Sequence, residues 1–442
     1  MVKRAMAALT SLGLSWPIAA QANGKFPAAD QLVVAGGDPD HIAMMSTFGV
    51  LTTSNAGQDW DVICESAAQY GDYEPAIALT TAGTFLLALD EGVGVGRDGG
   101  CSWSLASGIV EPVVDVTQSA AEPGTAVAIT TFAADSGYWA SMDDAATFQQ
   151  VSAFPPGFAA LTVDVAPSDP MRVYASGIDV NADQGQLARS DDGGVTWTTF
   201  PIADSSTEFQ PFIGALDPQD PDRLYVRLTG PGRLLATEDA GESWNEIFTS
   251  PMNKLLGLAV SPDGQRIAVG TEFDGMWRAD TDDYAFAKVS EVAVRCLTWT
   301  DAGLYACVNE FLVGDGFIVG RSSDGGDSFE PLVSLACLRG MLACDPGTRV
   351  GDLCPARWPA LADQLMSDTC DGTDAGGSGA TGGAGGSAGE GGSSDGERGA
   401  DDGCGCAVVG VAERQTRAVL WLVGLIVVLG ATRRRWKMSP PM

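Results

Sequence analysis

Ser190-Asp-Asp-Gly-Gly-Val-Thr-Trp197 and Thr237-Glu-Asp-Ala-Gly-Glu-Ser-Trp244 share one pattern: a hydroxyl, an acid two residues on, a glycine, and a tryptophan. Thr53-Ser-Asn-Ala-Gly-Gln-Asp-Trp60 and Ser322-Ser-Asp-Gly-Gly-Asp-Ser-Phe329 repeat it, and three degenerate copies end at Trp103, Phe148 and Phe286. From Trp60 to Phe329 the seven aromatic anchors are separated by 43, 45, 49, 47, 42 and 43 residues. A fixed period of this length is the mark of a repeat architecture, and it suits one four-stranded blade per repeat.

Within one repeat the strands read as Leu161 to Ala166, Val173 to Ser176, Leu187 to Ser190 and Thr196 to Phe200, and the quoted turn joins the last two. Arg223–Arg227, Gln265–Val269 and Gly303–Cys307 are the matching second strands of the following repeats. The expectation is an all-β, seven-bladed β-propeller over residues 23–336, with sequential blades. In each turn, Asn55, Asp98, Asp143, Asp192, Asp239, Asp282 or Asp324 is expected to accept hydrogen bonds from turn amides. The glycine takes positive φ, and the aromatic ring is buried beside its blade.

The pattern Ser/Thr-x-Asp-x-Gly-x-x-Trp resembles the Asp box, or BNR repeat, of sialidases, sortilin-type receptors, xyloglucanases and photosystem assembly factors. The resemblance implies a ligand site on the face opposite these turns, where the loops between second and third strands and between blades gather. Those loops hold Tyr70, Tyr73 and Glu74; Phe154 and Phe158; Glu208, Phe209 and Phe212. They also hold Asp179, Asp183, Arg227, Glu272, Asp274, Glu310, Phe311 and Asp315. The ligand-binding candidates among them are Tyr70, Tyr73, Glu74, Phe158, Asp179, Phe209, Phe212, Arg227, Glu272 and Phe311, because aromatics beside carboxylates suit a sugar or a peptide.

Catalytic constellations are hard to assemble. A sialidase needs three arginines converging on a carboxylate, yet only Arg227 and Arg295 face the expected mouth. The single histidine, His41, has no nucleophile motif beside it, and no metal or cofactor motif appears. The expected function is a non-catalytic recognition or scaffold module for protein, peptide or glycan. The alternative is a surface-tethered glycosidase with a carboxylate pair at the mouth.

The chain has 442 residues, with 57 Asp and Glu against 25 Lys and Arg, a net charge of −32. That charge repels phosphate backbones and argues against nucleic acid as a partner. Residues 1–22 read as a signal peptide: Lys3 and Arg4, an apolar run, then Ala20-Gln-Ala22 as a cleavage site. Export makes the ten cysteines candidates for disulfides. Cys337, Cys344, Cys354 and Cys370 mark a disulfide-stapled extension over 337–370, which is a candidate clasp for the ring; their pairing is open.

Residues 371–403 form a Gly- and Ser-rich linker, followed by Cys404-Gly-Cys406, an apolar run at 418–431, and Arg433-Arg434-Arg435. This tail over 404–442 resembles the MYXO-CTERM sorting signal of myxobacterial surface proteins. The resemblance implies export and sorting machinery as partners, cleavage near Cys404 or Cys406, and a transient inner-membrane span that leaves the propeller at the cell surface or outer membrane. An ordinary single-pass anchor is the alternative, with the arginines held on the cytoplasmic side.

Overall fold

The structure, a computed structural model, describes residues 29–71, 73–132, 135–230, 232–252, 254–310 and 314–367. The expected signal peptide, linker and sorting tail lie outside the described residues, as does Phe311. Seven four-stranded antiparallel sheets follow one another along the chain. Their first strands are β1 (Ala29–Ala35), β5 (Ile77–Leu79), β9 (Val113–Gln118), β13 (Phe158–Val165), β17 (Pro211–Leu216), β21 (Gly257–Val260) and β25 (Val294–Thr300). Each first strand touches the next, and β25 touches β1, so the seven close a ring around one axis. The chain is a seven-bladed β-propeller.

Blade position explains the burial pattern. Inner strands are packed between two neighbouring sheets, so Phe85–Leu89 is apolar and wholly buried, and Arg266–Gly270 is apolar and buried after its first residue. Fourth strands form the rim, and Gln149–Ala153 is mostly exposed and largely polar.

A first strand presents one unpaired backbone edge toward the axis, and buried amides there need partners. Side chains of neighbouring blades supply several of them. Gln31 Oε1 accepts from Ile77 N (3.0 Å), Asp115 Oδ2 from Val163 N (2.9 Å), and Thr162 Oγ1 from Ile213 N (3.0 Å). At the seam, Thr298 Oγ1 donates to Leu32 O and Arg295 Nε to Ala29 O, both at 2.6 Å. Each of these ties fixes one blade against its neighbour.

The turns work as their residue types predict. Ser190 Oγ donates to Asp192 Oδ1 (2.7 Å), which also accepts from Thr196 N (2.8 Å), while Thr196 Oγ1 donates to Oδ2 (2.7 Å). Asp143, Asp239 and Asp324 are held in the same way. The Thr147 and Thr196 hydroxyls, then the turn amides, hold the Asp143 and Asp192 carboxyls down at about 2. In the first turn Asn55 Oδ1 does the same work, accepting from Asp59 N (3.0 Å).

Two degenerate turns differ. At Asp98 the leading hydroxyl is replaced by Gly96, and the carboxylate keeps only the Ser102 hydroxyl (2.8 Å). In the sixth blade the residue accepting a turn amide is Asp283, from Ala285 N (3.0 Å), while Asp282 is exposed.

The turns also dock on the preceding blade. Trp197 lies 4.5 Å from Phe154 and 5.3 Å edge-on from Tyr138, and its Nε1 donates to Ser152 Oγ (2.8 Å). Gly194 has φ +87°, and any Cβ there would collide with the Tyr138 ring.

Every blade is built from one continuous stretch, so no strand is exchanged across the seam. The residues after blade seven return to blades one and two. Arg339 N donates to Trp60 O, Val62 N to Gly340 O and Leu342 N to Val62 O, covering the outer edge of β4 (Asp61–Ile63) with a short parallel segment. Arg339 also pairs with Asp59 and Asp61.

Disulfides Cys64–Cys354 and Cys101–Cys344 then bind this segment to the first and second blades. The extension is therefore joined to the ring through Cys344 and Cys354, not stapled to itself at those positions. Two short helices, Arg349–Leu353 and Trp358–Leu365, complete it. A third bridge, Cys296–Cys307, links adjacent strands of blade seven. The three disulfides between described residues point to an oxidising compartment.

A bridge spanning 290 residues restricts the unfolded chain more than one spanning 11. Replacing Cys64 and Cys354 together by Ser is expected to lower the unfolding free energy by about 2–5 kcal/mol, more than the paired Cys296→Ser and Cys307→Ser change. Denaturant midpoints of the two double variants check the order.

Candidate functional site

On the face opposite the turns, the expected ligand residues divide into those absorbed by packing and those left at the surface. Tyr70 is buried with Ile77 and Leu79 in the core between the first two blades. Phe158 is buried and stacks on Phe154 at 5.0 Å. Tyr73 is half-buried, its oxygen accepts from Asp90 N (3.1 Å), and burial raises its phenol; Glu74 beside it is also half-buried. Asp179 Oδ1 accepts from Asn181 N (2.9 Å) and Ala182 N (3.3 Å), which closes its own turn. Phe209 is half-buried.

Phe212, Arg227 and Glu272 are brought to one arc of the mouth, on blades five and six. Arg227 follows Tyr225 and Val226 on a second strand, opposite Phe212 in register, and its guanidinium lies 5.1 Å from the Phe212 ring centre. Its Nη1 donates to Leu255 O (3.3 Å), in the loop entering blade six. Burial pushes the guanidinium down, and among the described residues no carboxylate pairs with it.

Glu272 is buried between blades six and seven. Its Oε1 accepts from Arg295 (3.1 Å) and Asn309 Nδ2 (2.8 Å), and Lys254 Nζ stands 4.0 Å from Oε2. Lys254 also lies 5.8 Å from the centre of the Phe273 ring, which is 51% exposed. Neighbouring acids are occupied too: Asp315 accepts from Ala293 N, Glu310 from Leu335 N, and Asp183 from Thr207 N. These carboxylates shape loops and hold seams.

Lys254, Phe273 and Asn309 were not among the expected site residues; Phe273, between Glu272 and Asp274, carries the same local signal as the aromatics named, whereas no local pattern marks Lys254 or Asn309. Sequence reasoning also passed over Asp115 and Asp164. Their signal is an acid between two valines in a first strand, Val114-Asp115-Val116 and Val163-Asp164-Val165. Both remain partly accessible along the axis but are walled in by protein. Burial raises Asp115 to about 7, against hydrogen bonds from Val163 N and Val116 N. Burial raises Asp164 well above the usual carboxylate range, and the charge of Asp115 raises it further.

Among the described residues, no group of three or more His, Cys, Asp or Glu is placed to hold a metal ion, and no helix is long and apolar enough to cross a membrane.

The fold defines the class of protein, a seven-bladed propeller. No protein-family model matches the chain, and no curated protein matches it. Among solved structures it is similar to an ancestral GH74 enzyme, at 13% identity over 69% of this chain and 38% of that one, with a TM-score of 0.37. It is also similar to the GH74 xyloglucanase from Xanthomonas campestris, at 16% identity over 72% of this chain and 65% of that one, TM-score 0.35. YCF48 from Cyanidioschyzon merolae is 14% identical over 63% of this chain and 92% of that one, TM-score 0.48. The chain thus spans less than two thirds of the length of either GH74 protein. At these identities the likeness is one of fold.

The raised acids set a pH dependence. A carboxyl that titrates higher in the folded state adds stability below its unfolded value, near 4, and that contribution is lost as pH rises through the folded value. Stability is therefore expected to fall between about pH 4 and pH 7 in the wild type. Asp115→Asn should flatten this decline, as measured by thermal unfolding across that range.

Proposed function

We propose that the chain is an exported, surface-tethered recognition or scaffold propeller of the Asp-box type, acting by binding and not by turnover. One observation carries the reading: five of the carboxylates at the mouth are committed to the protein's own donors. Glu272 is engaged by Arg295 and Asn309, and Asp179, Asp183, Glu310 and Asp315 each hold a backbone amide. A general acid or nucleophile must instead meet the reacting atoms within hydrogen-bond reach.

The seven in-phase turns support Asp-box membership. The disulfides, the signal-peptide reading and the MYXO-CTERM-like tail support a place on the cell surface, with a protein, peptide or glycan outside the cell as partner.

A glycosidase is the second reading, favoured by Asp115 and Asp164. Two carboxyls with raised values resemble an acid and its partner. Their place in first strands, with Asp115 bound to Val163 N, suits a blade tie better than a substrate cleft.

Peptide and glycan arrays probed with the purified protein, run beside fluorogenic glycosides, separate the two readings. Saturable binding without glycoside turnover is expected. Turnover lost in Asp115→Asn or Asp164→Asn would instead establish the enzyme.

A further inference from the structure

Nine arginines among the described residues form ion pairs: Arg97, Arg172, Arg189, Arg223, Arg233, Arg278, Arg295, Arg321 and Arg339. In a chain of net charge −32, acids are available nearly everywhere. Arg266, Arg349 and Arg357 lack an ion pair elsewhere on the described residues, Arg266 lying over the Trp299 ring and Arg349 donating to the Ser66 and Ala67 carbonyls, and at the mouth Arg227 lacks one. Its partners are the Phe212 ring and a single carbonyl, Leu255 O, and it keeps part of its surface accessible. A walled-in cation without an anion is costly, because neither water nor a counter-charge fully replaces its hydration. Beside it, at the residue preceding Leu255, is the half-exposed Lys254, with the exposed Phe273 ring next to that.

We propose that Arg227 is the anchor of a ligand site on blades five and six, and that it takes the C-terminal carboxylate of a peptide whose last side chain rests on Phe273. The inference rests on the recognition reading above and names its partner class. The planar guanidinium offers paired N–H donors that match a carboxylate. Polyanions are opposed by the repulsion of the whole chain, which leaves a ligand carrying one carboxylate on an otherwise neutral segment. A peptide fits better than a sugar, because the aromatic faces a sugar ring would stack on are already taken: Phe212 by Arg227, and Phe273 on one side by Lys254. What remains of Phe273 suits an aliphatic or aromatic side chain.

The test uses the immobilised protein and two random octapeptide libraries, identical except that one ends in free carboxylates and the other in amides. Retention of the carboxylate library is expected to exceed that of the amidated library at least tenfold. Arg227→Met, which keeps the packing over Phe212, should abolish the difference, and Lys254→Met should reduce it by about threefold. Thermal unfolding gives a readout that a merely structural arginine would move the other way: Arg227→Met should unfold at the same or a higher temperature, since it removes a largely enclosed charge that no described carboxylate pairs with.

Equal retention of both libraries, retention unchanged in Arg227→Met, or no retention of either overturns the anchor. Stronger Arg227-dependent retention of a neutral oligosaccharide ending in one uronate would assign the site to a glycan and also overturn the peptide. Equal retention leaves the recognition reading standing, whereas cleavage of the peptides would overturn that reading itself.

Discussion

Every blade depends on how the inner edge of its first strand is satisfied. A sheet edge facing the axis carries amides and carbonyls that no fifth strand of these four-stranded sheets pairs. The chain meets part of this constraint with side chains from adjacent blades: Gln31, Asp115 and Thr162 accept amides, while Arg295 and Thr298 donate to carbonyls. These bonds set the angle between blades, and the angle places the loops at the mouth. Asp115 shows the tension in the arrangement, since the same burial that aims it at Val163 N raises its proton affinity.

Closure follows from the same logic. A ring of sequential blades has a seam where its first and last blades meet only through side chains. Here the seam is reinforced from outside by the segment after blade seven, which borders β4 and is bonded covalently to two blades. The apolar groups of this segment merge with existing cores: Val350 and Cys354 pack with Trp103, and Leu338 and Leu365 with Trp60. A piece too short to hold a core of its own gains one by sharing.

The turns were legible in the sequence because their chemistry is local. A hydroxyl, an acid and a glycine at fixed offsets dictate the bonds seen at Asp192, Asp239 and Asp324, and the spacing of the aromatic anchors dictates the blades. Where the local chemistry degrades the assignment shifts, as from Asp282 to Asp283, where Thr281, two residues before Asp283, gives its hydroxyl to Gly264 O. The disulfide partners were not legible, because Cys64 and Cys354 meet only after the ring has closed. The mouth was legible in part: Arg227, Phe212 and Glu272 do share an arc, but whether an aromatic is surface or core depends on packing across blades. Phe158 faces Phe154 for that reason, and Tyr70 enters the core of blades one and two.

Disulfide mapping of the purified, unreduced protein by proteolysis and mass spectrometry tests the closed ring most directly. The account predicts cross-linked peptides joining Cys64 to Cys354 and Cys101 to Cys344. A bond between Cys344 and Cys354 would contradict it, because the segment after blade seven would then be closed on itself and the seam left without its covalent clasp.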